Sequence, residues 1–348
     1  MSAYWVLLLI PAFSLLSSRN LSDRSQKIVW ALVWAGISLI VGFRHEVGGD
    51  WFNYLSRFSD YDRQTLSEVL SRGDPFYHLI SWVVAKFGGS IHWVNFVCAM
   101  IVASGIVRFV RSLPLPWLAL FVAVPYLIIV VAMGYTRQAT ALGFLLLALV
   151  SLKNREVHWF VFWVLIGAGF HKSVVLMLPI AALASTSNRF WSLLWIGCVS
   201  LVGGYIFVFD SVDRLWSSYV ESDMQSDGGF IRVMMNAIPA ILFLLTYKRM
   251  SLKEAEARLW WWLSFFALVC IPLVMISSTA TDRVALYLIP IQLFVFAKLP
   301  FLFSDPKVRG LVVLGVGVYY TFVQVVWLLF ASHAHAWLPY KTILFHTL

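Results

Sequence analysis

The strongest constraint on this chain is a succession of apolar runs, at residues 2–18, 28–43, 91–110, 115–134, 137–152, 157–171, 173–186, 190–209, 230–247, 259–278, 284–301 and 310–331. About 20 apolar residues are enough for a helix to cross the hydrocarbon layer of a bilayer. The runs therefore predict an all-α polytopic membrane protein with about 12 transmembrane helices, residues 1–348 forming one domain. With 61% apolar and 12% charged residues, the chain has less polar surface than a soluble domain of this size requires. Residues Ala3–Ser17 are as apolar as a secretory signal, but they lack a basic leading region and a small-x-small cleavage site. They read as a retained first span. Cys98, Cys198 and Cys270 all fall inside apolar runs, so they read as inert core residues rather than a disulfide framework.

The net charge of +9 raises the possibility of a nucleic-acid ligand, and the placement of the charges argues against it. Alternate connections between runs carry Arg19, Arg24 and Lys27, then Arg108 and Arg111, Lys153 and Arg155, Arg189, Lys248 to Arg258, and Lys298 to Arg309. These hold 15 basic and 5 acidic residues, against 11 basic and 12 acidic on the other side. Cytoplasmic connections carry the excess of Lys and Arg. The basic set is therefore expected in the cytoplasm and both termini outside. The assignment has one condition. Residues Pro75–Phe87 are also apolar, and a full span there would invert every later connection. Thirteen residues before Gly88 and Gly89 are short for a crossing, so this segment is expected to be one re-entrant or interfacial helix on the outer face. The runs flanking His171 are also short and read as half-helices meeting within the membrane.

On the outer side, the second run ends abruptly in Arg44, His45 and Glu46, followed by Gly48, Gly49 and Asp50 among aromatic residues. Arg137 opens one run, Arg232 sits just inside another, Arg283 begins a third, and His171 with Lys172 interrupts a fourth. A single arginine at a helix end often only reaches out to the interface. Several on one face, joined by short connections, point instead to a polar path at membrane depth. Converging guanidiniums suit a diphosphate, because they stay charged and fork onto paired oxygens. Asp50 and His171 are the candidate proton-handling groups, although Asp50 could instead cap the next turn and His171 could serve packing. The aromatic residues Trp51, Phe52, Tyr54 and Tyr135 are candidates to stack on sugar faces. The acidic segment Asp210–Gly229, with Trp216 and Tyr219, is a candidate lid. Asp60 and Asp62 have a metal-binding spacing that recurs by chance in acidic loops, and His333 with His335 lacks nearby carboxylates or thiolates. No nucleotide-binding glycine pattern, serine triad order or zinc-protease motif occurs, so no cofactor and no metal are expected.

These residues together resemble the EpsG/Wzy-type family of bacterial surface-polysaccharide polymerases. The resemblance covers most of the chain. It rests on Gly42, Phe43 and Arg44 with Gly49, Asp50 and Tyr54, and on Arg137, Gln138 and Ala139 opening a run. It also rests on Phe170, His171, Lys172 and Ser173 leading to Pro179, and on Arg283 with Tyr287 before Pro300. The resemblance implies a GT-C-like glycosyltransferase in the bacterial inner (cytoplasmic) membrane, active on the periplasmic or extracellular face. Its substrates would be undecaprenyl-diphosphate-linked oligosaccharide repeats, and its product a longer glycan with undecaprenyl diphosphate released. For such a reaction the chemistry of the residues makes Asp50 and His171 the candidates for proton transfer. Arg137, Arg232 and Arg283, with Arg44, are the candidates to bind diphosphate, and Trp51, Tyr54, Tyr135, Gln138 and Tyr287 are the candidates to line the substrate. Whether a chain-length regulator or a flippase binds the chain is left open, as is which of Asp50 and His171 acts as the base. Asp282, directly before Arg283, departs from the family pattern.

Three other activities compete. An O-antigen ligase uses the same donor but carries a larger outer loop than the 20 residues between runs here. A flippase or transporter of lipid-linked sugars is expected to show internal repeats and midplane charges. Here the charges gather at one face and no repeat is evident. A membrane O-acyltransferase would leave the arginines without a purpose.

Overall fold

A computed structural model describes residues 1–17, 22–154, 156–184, 194, 196–198, 200–202 and 228–344. Among these, all regular structure is helical, apart from a single antiparallel bridge between Arg44 and Thr342. The helices are α1 (Ser2–Leu16), α2 (Asp23–Gly42), α3 (Trp51–Phe58), α4 (Leu66–Leu70), α5 (Pro75–Lys86), α6 (Ile91–Arg111) and α7 (Pro116–Ala123). There follow α8 (Thr136–Lys153), α9 (Val157–Ala168), α10 (Leu178–Ala184), α11 (Gly229–Thr246), α12 (Glu254–Ile276), α13 (Ser278–Ala285), α14 (Pro290–Lys298) and α15 (Pro306–Phe330). Five described helices are long and apolar enough to cross a membrane: α2, α6, Gly229–Arg249, α12 and α15. A sixth results if Ser278–Leu288 and Pro290–Leu302, bent by 45°, are one span. Shorter apolar helices lie at Ser2–Leu16, Pro116–Ala132 and Val157–Ala168. The protein is therefore an all-helical membrane protein. The candidate acidic lid at 210–229 lies outside the described residues except for its closing pair, Gly228 and Gly229.

Local chemistry explains where several helices begin and bend. The Ser22 side chain accepts a hydrogen bond from the Ser25 amide at 3.2 Å, and Asp23 follows in the first turn of α2, where the helix dipole favours an anion. After α7 the chain continues as a π-helix over Val124–Ala132, with Pro125 in its first turn. Proline has no N–H to complete an ordinary helical turn. Helix α6 meets α8 through Gly105 and Gly143. A Cβ on Gly105 would lie 2.2 Å from the Gly143 carbonyl oxygen, so only glycine permits this approach. Close backbone contact of this kind is how helices associate where lipid removes the hydrophobic drive.

The chain forms two compact units. The first comprises Met1–Phe144, Gly169–His171 and Leu314–Leu348, and the second Leu145–Ala168 and Lys172–Val313. In the first unit, several helix ends meet at one level. Arg44, just past α2, donates to Thr136 at the start of α8 at 2.8 Å, and His45 shares a hydrogen bond with His92 at the start of α6 at 3.1 Å. The Tyr4 hydroxyl, in the first turn of α1, donates to the Trp337 carbonyl, beyond α15, at 2.6 Å. The His45–His92 bond closes residues 45–92 into one loop that contains α5. Its 12 residues span about 18 Å, well short of a hydrocarbon layer of about 30 Å.

In the second unit, α11 packs on α12, α13 and α14, and α10 packs on α12. The connection from Ser277 to Arg283, which reads as a short loop in sequence, is helical as α13 and runs into the turn Leu286–Leu288.

Candidate functional site

The loop between α2 and α3 is built around Arg44, which is 1% exposed. Its Nη1 donates to the Val41 carbonyl at 2.6 Å and its Nε to the Val47 carbonyl at 3.1 Å, while Nη2 reaches Thr136. The Val41 carbonyl is one of the acceptors that a helix C-terminus leaves without an intrahelical partner. Burial pulls the guanidinium pKa down to about 10, which leaves it charged at neutral pH. Arg44 thus ties the end of α2, the loop and the start of α8 together. Gly48 has φ +107°, and a Cβ there would fall 2.1 Å from the Met133 carbonyl oxygen, so the loop also needs this glycine.

Asp50 follows at the N-terminus of α3. Its carboxylate makes no capping bond to that helix, and it is half-buried beside Tyr54. Tyr54 packs at 5.5 Å on Tyr77, and Arg137 lies over both rings, 5.8 Å and 5.9 Å from their centroids. Burial raises the pKa of both phenols, so they stay neutral and present ring faces to the cation. Arg137 is held from the far side by Asp74, Nη1 to Oδ2 at 2.8 Å. Its side chain is 26% exposed, and its buried Nε has no hydrogen-bond partner among the described residues. Asp74 adopts a left-handed conformation, φ +64°, which Asp tolerates better than most residues.

His171 reaches the same neighbourhood through the non-helical residues 169–171 between α9 and the 3-10 turn Lys172–Met177. The Gly169 carbonyl accepts from the Phe76 amide at 2.8 Å, and Phe170 packs on Phe76 and Phe144. This anchors 169–171 to the first turn of α5, two residues from Asp74. Below lie Tyr61 and His78, hydrogen-bonded to each other and buried. Burial, reinforced by Arg137, Arg72 and Arg57, pushes the His78 pKa down to about 4, so this imidazole is neutral.

The first unit therefore brings together Arg44, Asp50, Trp51, Tyr54 and Arg137, with Tyr135 and Gln138 flanking Arg137 in the chain and His171 tied in through Phe76. Trp51 is buried against His45, His92 and Arg44, and Gln138 is buried. Tyr135 is half-buried and Phe52 is 66% exposed, so these two retain open ring surface. Arg232, Arg283 and Tyr287 belong to the second unit. There Arg232 forks onto Asp282, with Nε–Oδ1 and Nη2–Oδ2 both 2.8 Å. Arg283, adjacent in α13, is half-buried. The buried Tyr287 hydroxyl lies 3.1 Å from that of Ser173, and Asn236 bridges Gln292 to the Ala285 carbonyl.

Sequence reasoning passed over Asp74, Tyr77 and the pairing role of Asp282. Asp74 had a visible signal, since an acidic residue before Pro75 marks a helix start. Its cationic partner, 63 residues away, had none. Among the described residues, no group of three or more His, Cys, Asp or Glu side chains is arranged to hold a metal ion.

A family model described as EpsG family matches residues 27–342. No curated protein and no solved structure matches the chain.

Proposed function

The chain belongs to the EpsG family, and on that premise we propose that it polymerises surface polysaccharide by glycosyl transfer in a bacterial inner membrane. The substrates are undecaprenyl-diphosphate-linked oligosaccharide repeats presented at the outer face. A hydroxyl at the non-reducing end of one repeat attacks the anomeric carbon of the growing glycan. A new glycosidic bond forms, the bond from that carbon to the diphosphate breaks, and undecaprenyl diphosphate leaves. On this reading the chain crosses the membrane about twelve times in a GT-C-like arrangement, with α5 at the outer interface.

The observation that carries the mechanism is Arg137, fixed between Asp74 and the rings of Tyr54 and Tyr77, with a partly exposed side chain and an Nε that has no hydrogen-bond partner among the described residues. A cation already in place stabilises negative charge developing on a departing diphosphate without reorganising during the reaction. Asp50 or His171 takes the acceptor proton, and Arg44 positions the loop that carries Asp50. On guanidinium charge alone we also assign Arg283 and Arg232 to phosphate binding, with Asp282 holding Arg232 in place. Arginines supply the neutralisation, so the reaction proceeds without metal.

The test is a polymerisation assay with purified protein, a synthetic lipid-linked repeat and a chelator, read as a ladder of oligomers. Wild type should give a ladder, and Arg137→Ala and Arg283→Ala should each lose about a hundredfold or more in rate while keeping the wild-type melt. A wild-type ladder untouched by both substitutions would remove the arginines from the mechanism. A ligase would give a single transfer to another acceptor rather than a ladder. A transporter would move the lipid across liposomes and form no glycosidic bond.

A further inference from the structure

The loop bearing Asp50 is held from outside by the end of the chain. Beyond α15, residues 336–343 run along residues 40–48 and make a series of bonds to them. The Gly48 amide donates to the Ala336 carbonyl at 2.8 Å, the His45 amide to the Lys341 carbonyl at 3.0 Å, and the Ile343 amide to the Phe43 carbonyl at 3.1 Å. The Thr342 hydroxyl also donates to the Phe43 carbonyl at 2.9 Å, and the Tyr340 hydroxyl to the Ile40 carbonyl at 2.7 Å. Lys341 pairs with Glu46 and holds that carboxyl below its usual range.

Trp337 sits at the centre of this contact and is 2% exposed. Its indole N–H donates to the Ile129 carbonyl in the π-helix at 2.8 Å. Its ring lies across two glycines. A Cβ on Gly134 would meet the ring at 2.7 Å, and one on Gly49 would be 3.8 Å away. Gly49 precedes Asp50, and Gly134 is three residues before Arg137. One rigid side chain therefore sets the spacing between the two backbones that carry the candidate base and the candidate diphosphate cation.

We propose that Trp337 is a positioning residue for glycosyl transfer, fixing the Asp50 loop against the start of α8 from the C-terminal segment. The assignment to transfer rests on the polymerase reading above, while the mechanical role of Trp337 does not. Misplacing reacting groups by about 1 Å is enough to lose a hundredfold in rate. Because Trp337 touches the loop and not the substrate, its loss should lower kcat far more than it changes KM.

The experiment uses the full-length protein in detergent and compares wild type, Trp337→Ala and Trp337→Phe by amide hydrogen exchange, thermal melt and polymerisation kinetics. In Trp337→Ala, exchange of the amides of residues 43–48 should rise at least tenfold, kcat should fall tenfold or more, and KM for the lipid-linked repeat should change less than threefold. Trp337→Phe keeps a ring between the glycines and should recover most of the kcat. Unchanged exchange at 43–48 would overturn the mechanical role, and raised exchange with unchanged kcat would overturn positioning. Should Trp337→Ala fail to fold, Gly134→Ala displaces the ring with the C-terminal segment intact and should give the same pattern. Wild type without polymerase activity would sink the polymerase reading and, with it, the assignment to transfer, while the exchange comparison would still decide whether Trp337 holds the loop.

Discussion

Two arginines in one unit show how little residue type alone says about role. Arg44 and Arg137 both lie beside aromatics at helix ends, yet Arg44 directs its donors to two carbonyls and a hydroxyl, and Arg137 keeps a buried Nε with no partner among the described residues. Substitution should separate them. Arg44→Ala leaves internal acceptors unmet and should lower the melting temperature, whereas Arg137→Lys should melt close to wild type and still lose activity. Lysine keeps the charge but not the planar fork between Asp74 and the tyrosine rings. A tenfold or greater drop in kcat for Arg137→Lys is expected in the ladder assay, and full activity would reduce Arg137 to a point charge. His78 offers a pH test at the same scale. Its folded pKa is about 4, against about 6.5 in an unfolded chain. Below 6.5 the unfolded state takes up a proton that the folded state refuses, so stability falls as pH drops from 6.5 towards 4. Melts from pH 7.5 to 4.5 should show this slope in wild type and a shallower one in His78→Gln. Parallel slopes would mean that His78 does not contribute.

At the scale of elements, the parts legible in sequence were those with a local pattern. The apolar run of α2 and its abrupt end at Arg44 are local features, and the loop they mark lies at the candidate site. The brevity of α5 and the Gly88–Gly89 pair after it are local features too, whereas the His45–His92 bond that closes the loop around α5 joins residues 47 apart. The missing parts are contacts between distant positions. The Thr342–Phe43 bond joins residues 299 apart and the Tyr4–Trp337 bond residues 333 apart, and neither leaves a periodicity behind. The same holds for Arg232 and Asp282, read separately as a cation and as a departure from a family pattern. The loop between α2 and α3 offers an element-level prediction. Gly48→Ala would press a methyl group onto the Met133 carbonyl at a positive φ that alanine disfavours. It should destabilise the protein by about 2 kcal/mol or more and release the amides of residues 43–48 to exchange. Gly36→Ala has nothing within 4 Å of the added methyl group and serves as the control.

For the whole molecule, the orientation question reduces to a single choice of sign for the first unit. Tyr4 bonds to Trp337, and the loop after α2 bonds to residues 336–343 and to the starts of α6 and α8. The start of α1, the end of α2, the starts of α6 and α8 and the end of α15 therefore share one face, whichever face that is. The basic connections at 22–27 and 108–111 lie at the opposite ends of these helices. An excess of Lys and Arg is expected at the cytoplasmic face, so Asp50, Arg137 and the C-terminal segment are predicted to face outward. In a cysteine-free background, Ser59→Cys and Ser332→Cys should react with a membrane-impermeant maleimide in intact cells with an opened outer envelope. Lys27→Cys should react only after the inner membrane is permeabilised. The reverse pattern would place the site in the cytoplasm, on the wrong side for outer-face polymerisation. Divergent behaviour of Ser59→Cys and Ser332→Cys would contradict the shared face itself.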